Sequence, residues 1–181
     1  MSRFGYVMTT YFAMLAFIDL AFVHPVPRLI WNATASTPIG LYALHPLGKL
    51  HTLELVVVRP PEPIASYLAD GGFLPKGVPL LKHVLAVAGQ TVCRTGDAVT
   101  VDHVEVGVAR DRDHLGRPLP RWSGCRALRP GEVFLMNPTV PDSLDGRYFG
   151  PFPVASIVAR AVPLWTDEAG DGRFVWRAAT D

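Results

Sequence analysis

The sequence predicts a mainly β protein of one domain, carried behind a single N-terminal transmembrane helix. Three observations lead there. The 181 residues amount to about one domain at the usual size scale. Residues Phe4 to Val23, FGYVMTTYFAMLAFIDLAFV, form an apolar run whose only charge is Asp19. As a helix such a run spans about 30 Å, the thickness of a bilayer's hydrocarbon core. From Leu50 onward the apolar residues fall instead into short runs, many of them β-branched, separated by Pro and Gly. The chain therefore divides into an anchor and linker over residues 1–28 and a β domain over residues 29–181.

The elements follow in order. Arg3 precedes the apolar run and HPVPR (His24 to Arg28) follows it, so the flanking charges set orientation only weakly. Asp19, near the far end, is expected at the interface and solvated. The two prolines of HPVPR discourage further helix and make an extended linker. Ala33-Thr34-Ala35 has the small-x-small form of a signal-peptide cleavage site, but it lies about ten residues past the apolar run. A retained anchor fits better than a cleaved signal.

Leu53 to Val58 reads as a strand stopped by Pro60-Pro61, and Pro61 to Gly72 as a turn-rich stretch with one short helical turn. Pro79 to Gly89, PLLKHVLAVAG, reads as a buried strand ended by Gly89. AVTV (Ala98 to Val101) and VEVGVA (Val104 to Ala109) flank Asp102-His103, which suits a two-residue hairpin. Arg110 to Cys125, with two prolines and two glycines, is a surface loop, either functional or a tether held by Cys125. GEVFLMN, VASIVARAVPLW and RFVWR supply the last strands.

Composition excludes several activities. With net charge +1 and no basic block interleaved with aromatics, the chain is not a phosphate-tracking nucleic-acid binder. The six histidines are scattered and no H-E-x-x-H occurs, so no metal site is expected. There is no glycine-rich phosphate loop and no G-x-S-x-G elbow, and no cofactor is called for. Cys93 and Cys125 stand apart, unlike paired metal ligands. Outside a reducing compartment they can close one disulfide, worth roughly 3–4 kcal/mol for a loop of about 33 residues. The other reading is two buried thiols.

The chemistry that remains centres on serine. Ser36 sits among small residues in WNATASTPIGLYAL (Trp31 to Leu44), as a turn residue or as a nucleophile that needs a base. A Ser-His-Asp triad would have to draw on His45, His51 or His83. The other base is a neutral lysine. In PLLKHVLAVAG, strand alternation puts Lys82, Val84, Ala86 and Ala88 on one face. Desolvation among small apolar neighbours disfavours the ammonium form. A fall from about 10.4 to about 7.5, worth about 4 kcal/mol, would leave a sizeable neutral fraction. The alternative is a lysine that ends its strand and snorkels to water. In NPTVPDSLDGRYFG (Asn137 to Gly150), Ser143, Asp145 and Arg147 recur at i, i+2 and i+4. An extended segment places all three on one face, as a polar turn or as support for an amine.

Together the three stretches, in this order, resemble the type I signal peptidase family, and most closely its conjugation branch, the TraF-like peptidases that mature the pilin of plasmid-transfer systems. The family's nucleophile motif, a serine just beyond a membrane anchor, is matched by TASTPIGLY. Its base motif, a lysine opening a hydrophobic strand that ends in glycine, is matched by LKHVLAVAG. Its S-x-D-x-R segment followed by an aromatic and glycine is matched by DSLDGRYFG. The two cysteines and the loop GRPLPRWSGC also look like the conjugation branch.

The resemblance implies a signal-peptidase-like β domain with Ser36 as nucleophile and Lys82 as general base. Thr34 and the Ser36 backbone N–H would hold the oxyanion. Ser143 would orient the amine, supported by Asp145 and Arg147. It further implies a bacterial inner-membrane enzyme with a periplasmic catalytic domain. The substrate would be a prepilin or other membrane-bound precursor, with conjugation (type IV secretion) machinery as partner and with either hydrolysis or cyclisation as outcome. Two departures, Pro38 two residues after the serine and Gly146 in place of a small hydroxyl residue, speak against a general secretory role. A general type I signal peptidase and a non-enzymatic periplasmic assembly factor are the alternative readings.

Overall fold

The structure is a computed structural model and describes residues 3–22 and 28–178, with the side chains of residues 19–22 outside that description. The expectation for Asp19 and most of the His24–Arg28 linker therefore fall outside the described residues. Helix α1 spans Arg3–Phe22, and its described side chains are mostly exposed. Among the described residues no helix is long and apolar enough to cross a membrane. The expected N-terminal helix is present over these residues. Thr9 and Thr10 interrupt its apolar surface, their hydroxyls turned back onto the carbonyls of Gly5 and Tyr6.

The rest is mainly β. The strands are β1 (Leu29–Asn32), β2 (Ile39–His45), β3 (Leu55–Val58), β4 (Leu80–Ala86), β5 (Thr91–Thr95), β6 (Ala98–Val101), β7 (Val104–Val108), β8 (Gly124–Ala127), β9 (Glu132–Met136), β10 (Phe152–Pro153), β11 (Ile157–Asp167) and β12 (Val175–Trp176). Among the described residues two α-helices interrupt them, α2 (Glu62–Asp70) and α3 (Gly146–Phe149), with a short 3₁₀ turn at Val154–Ser156. An eight-stranded antiparallel sheet runs β1-β2-β11-β3-β4-β9-β10, with β12 on β11, and a four-stranded sheet runs β7-β6-β5-β8. The sheets meet over Phe134 and Met136 of β9 and Val92 and Val99 of the smaller sheet. Val56, Val84, Leu135 and Phe152 form a second apolar cluster on the larger sheet.

Most expected strands are present, with informative differences. Asp102 and His103 both have positive φ, 47° and 70°, as a type I′ hairpin requires. β4 ends at Ala86 after a register shift between Val84 and Ala86, so Ala88 leaves the face that carries Lys82 and is exposed. The turn-rich stretch after Pro61 holds nine residues of helix, because Leu68 buries against the domain and Pro61 starts the first turn. β1 and β2, read only as a turn region, pair with each other and then with β11. The Ser143–Arg147 segment is not extended. Asp145 caps α3, and the chain coils behind it.

Candidate active site

Ser36 lies in loop 33–38 between β1 and β2, half-buried. The side chain of Asn32, itself buried, shapes that loop. Its Oδ1 accepts from the Thr34 N–H at 3.1 Å and the Thr34 hydroxyl at 2.8 Å. Its Nδ2 donates to the Thr37 hydroxyl at 2.9 Å and the Thr37 carbonyl at 3.0 Å. Tyr42 donates to the Pro38 carbonyl at 2.6 Å from the far end of the loop. Burial pushes the Tyr42 phenol up to about 12, so it stays a neutral donor. The Thr34 and Ser36 hydroxyls are 3.3 Å apart. Since Thr34 commits its one hydrogen to Asn32, Ser36 is the donor in that contact. Thr34 can serve an oxyanion only after turning away from Asn32.

Lys82 stands in the middle of β4, in register with Val56 of β3. It is 2% exposed, and its Nζ donates to Ser143 Oγ at 2.6 Å. Burial lowers its pKa from the ordinary 10.5 to about 8, with the Asp145 charge pulling upward and Arg147 pushing down. This Lys82 does not snorkel. The lowered pKa raises its neutral fraction near neutral pH.

Ser143 is held from behind. Arg147 Nε and Nη2 bracket the Asp145 carboxylate at 3.0 and 2.8 Å, and both residues are almost wholly buried. Arg147 Nη2 also donates to the carbonyls of Val140 at 2.6 Å and Ser143 at 3.3 Å. Arg94 of β5 donates to the Arg147 carbonyl at 2.8 Å, tying the smaller sheet to this segment. At Gly146 an added Cβ would lie 2.7 Å from both the Leu135 carbonyl oxygen and the Phe134 ring. The Gly146 carbonyl accepts from Trp122 Nε1 at 3.0 Å.

Thr34, Ser36, Lys82 and Ser143 all line one cleft of about 580 Å³, walled by apolar residues such as Ile30, Leu68, Leu74 and Leu81. The loop after β7 adds Arg110, Arg112, Asp113 and His114 to its rim and, through Trp122, also tethers α3. Cys93 and Cys125 are bonded, joining paired positions of β5 and β8. The candidate triad histidines do not line the cleft. His45 ends β2 opposite Arg160, and His51 lies in the loop before β3. His83 projects away from Lys82 toward Asn137, its pKa lowered by burial. Among the described residues no cluster of His, Cys, Asp or Glu stands ready to hold a metal. Asn32, Asn137 and Arg94 are the structural contributors that sequence reasoning missed. Their only signals were an Asn two residues before a Thr and an Asn before a Pro, both turn formers.

A β domain that brings a half-buried serine and a buried, partly neutral lysine to one apolar cleft has the features of a serine peptidase. The chain belongs to the signal peptidase, peptidase S26 family, whose model matches residues 1–165. It is 35% identical over 146 residues to a probable conjugal transfer protein TraF of Sinorhizobium fredii, covering 75% of this chain and 76% of that protein. It is 34% identical over 148 residues to a plasmid transfer protein TraF of Escherichia coli, covering 75% and 81% respectively. A crystal structure of a signal peptidase I from Enterococcus faecalis superposes with a TM-score of 0.38 at 16% identity, over 63% of this chain and 97% of that one.

Proposed function

We propose that the chain is a serine endopeptidase working through a Ser36–Lys82 dyad, and that it matures the pilin precursor of a conjugative transfer system. The observation that carries the reading is Lys82, an amine stripped of water and held by Ser143 in the cleft that Ser36 enters. The conjugal and plasmid transfer names of the relatives support the biological setting. The apolar α1 and an exposed aromatic cluster at the sheet edge support work at a membrane surface. In that cluster Trp31 stacks on Phe174 and Phe174 packs on Trp165, with Trp176 exposed nearby. The Cys93–Cys125 bond supports an oxidising compartment such as the periplasm.

In this mechanism neutral Lys82 donates one N–H to Ser143, and the Ser36 hydroxyl turns from Thr34 to offer its hydrogen to the amine lone pair. Lys82 takes the Ser36 proton as Oγ attacks the scissile carbonyl. The Ser36 N–H and a rotated Thr34 hydroxyl stabilise the oxyanion. The protonated Lys82 then gives its proton to the departing amine, leaving an acyl-enzyme. Water resolves it to a free carboxylate, and the precursor's own N-terminal amine resolves it to a cyclic product.

Co-expression with a candidate prepilin, read by intact mass, tests the proposal. Wild type should yield processed pilin, while Ser36→Ala and Lys82→Ala should leave the precursor intact. Processing that survives either substitution rules out the dyad. A product lighter by one water than the cleaved linear chain identifies cyclisation.

A further inference from the structure

β9 ends at Met136, and the next residue is followed by Pro138, which has no N–H to continue the ladder with β4. The side chain of Asn137 takes over that rung. Its Nδ2 donates to the Leu81 carbonyl at 3.1 Å, and its Oδ1 accepts from the His83 N–H at 3.2 Å. These are the peptide groups on either side of Lys82. A primary amide has the same donor and acceptor as a backbone peptide, so the side chain stands in for the missing strand. The second Nδ2 hydrogen goes to the carbonyl of Ser36 itself, at 2.6 Å and 101 residues away in sequence. The backbone of Asn137 is also engaged, its N–H on the Asp145 carboxylate at 3.1 Å and its carbonyl on Arg147 at 3.1 Å. The residue is 1% exposed. One side chain thus grips the nucleophile's own peptide and both peptides of the base, from a backbone pinned to the support pair.

We infer that Asn137 is a positioning residue that sets the spacing and orientation of Ser36 relative to Lys82, a role that rests on the dyad reading above. Lys82 sits on a rigid central strand, whereas Ser36 sits on a loop. Among the described residues, the hydrogen bonds that join the Ser36 residue to the base strand run through Asn137. A displacement of about 1 Å between reacting groups is enough to lower turnover about 100-fold. Losing the amide also leaves the Ser36 and Leu81 carbonyls short of a donor.

The test uses full-length protein in detergent with a pilin precursor as substrate, and the acylation burst counts competent sites. Asn137→Ala should lower kcat about 100-fold with KM within about twofold, while the acid limb of the rate profile stays where wild type has it. A smaller burst with unchanged kcat per site means a merely structural role and overturns the inference. Should the alanine variant fail to fold, Asn137→Asp keeps the shape but faces both carbonyls with a carboxylate. It should lose at least as much rate, and its acid limb should move to higher pH because the new charge favours the ammonium form of Lys82. Wild-type rate and an unmoved limb in that variant overturn the inference. Ser36→Ala is assayed alongside: if it still processes the precursor, the dyad reading itself has failed. If Ser36→Ala is dead and Asn137→Ala keeps kcat within twofold, only the role of Asn137 has failed.

Discussion

The two halves of the candidate dyad are built by opposite means. Ser36 is half-buried on a loop whose shape comes from side-chain amides, Asn32 from below and Asn137 from across the sheet. Lys82 is 2% exposed on a strand hydrogen-bonded on one side to β3 and on the other to β9. Under the proposed mechanism the hydroxyl would have to meet a substrate, which its access suits, and the amine would have to lose its proton, which its burial suits. Order on the nucleophile side therefore rests on hydrogen bonds, and on the base side on burial. Damage to the first should register as rate, and damage to the second as both rate and stability.

The sharpest way to break that contrast is Lys82→Met, which should abolish processing by about 10⁴-fold or more and yet stabilise the fold. The sign follows from the lowered pKa. Between about 8 and 10.5 the folded protein binds fewer protons at Lys82 than the unfolded chain, so stability climbs with pH across that window. Below it the full burial penalty applies, and relieving it should add about 3 kcal/mol at pH 7, a gain that fades toward pH 10.5. Urea titrations at pH 7 and 10 measure this, and a loss of stability at pH 7 contradicts the burial argument. In the wild type the same group makes kcat rise with pH through about 8.

Next in size, Arg147→Met strands the buried Asp145 carboxylate and should lower stability by about 3–5 kcal/mol in the same titration. Reducing Cys93–Cys125, whose partners are 32 residues apart, should lower it by roughly 3–4 kcal/mol, read as a shifted denaturation midpoint. Smallest is Thr34→Val on the loop. Because its hydrogen is already given to Asn32, kcat should fall only about tenfold, with stability moved by less than about 0.5 kcal/mol. A large stability change there would erase the distinction between the two sides.

Much of this was legible in the sequence where one residue type carries one physical preference. β-Branched runs marked β3 and β11, and a lysine amid Val and Ala marked the buried amine of Lys82. The strand pair β1–β2 was not legible, because β2 finds its second partner in β11, more than a hundred residues later. Ser143, Asp145 and Arg147 do come together behind Lys82, but not by the geometry their spacing suggested. Their spacing suggested an extended face, whereas Asp145 caps a helical turn that brings Arg147 back onto it. Asn32 and Asn137 stayed hidden because a side chain imitating a peptide group follows no periodicity and serves segments distant in sequence.

The seat of Gly146 limits how this chain can vary. A serine there, the residue type that the wider resemblance leads one to expect, would press on the Phe134 ring and on the Leu135 carbonyl oxygen at 2.7 Å. A smaller residue at 134 relieves the first clash, but the second is against strand backbone that no side-chain change removes. Grafting the corresponding segment from a relative with a side chain at this place would therefore have to re-seat α3 as a unit. In descent, position 146 and the path of β9 should change together or not at all.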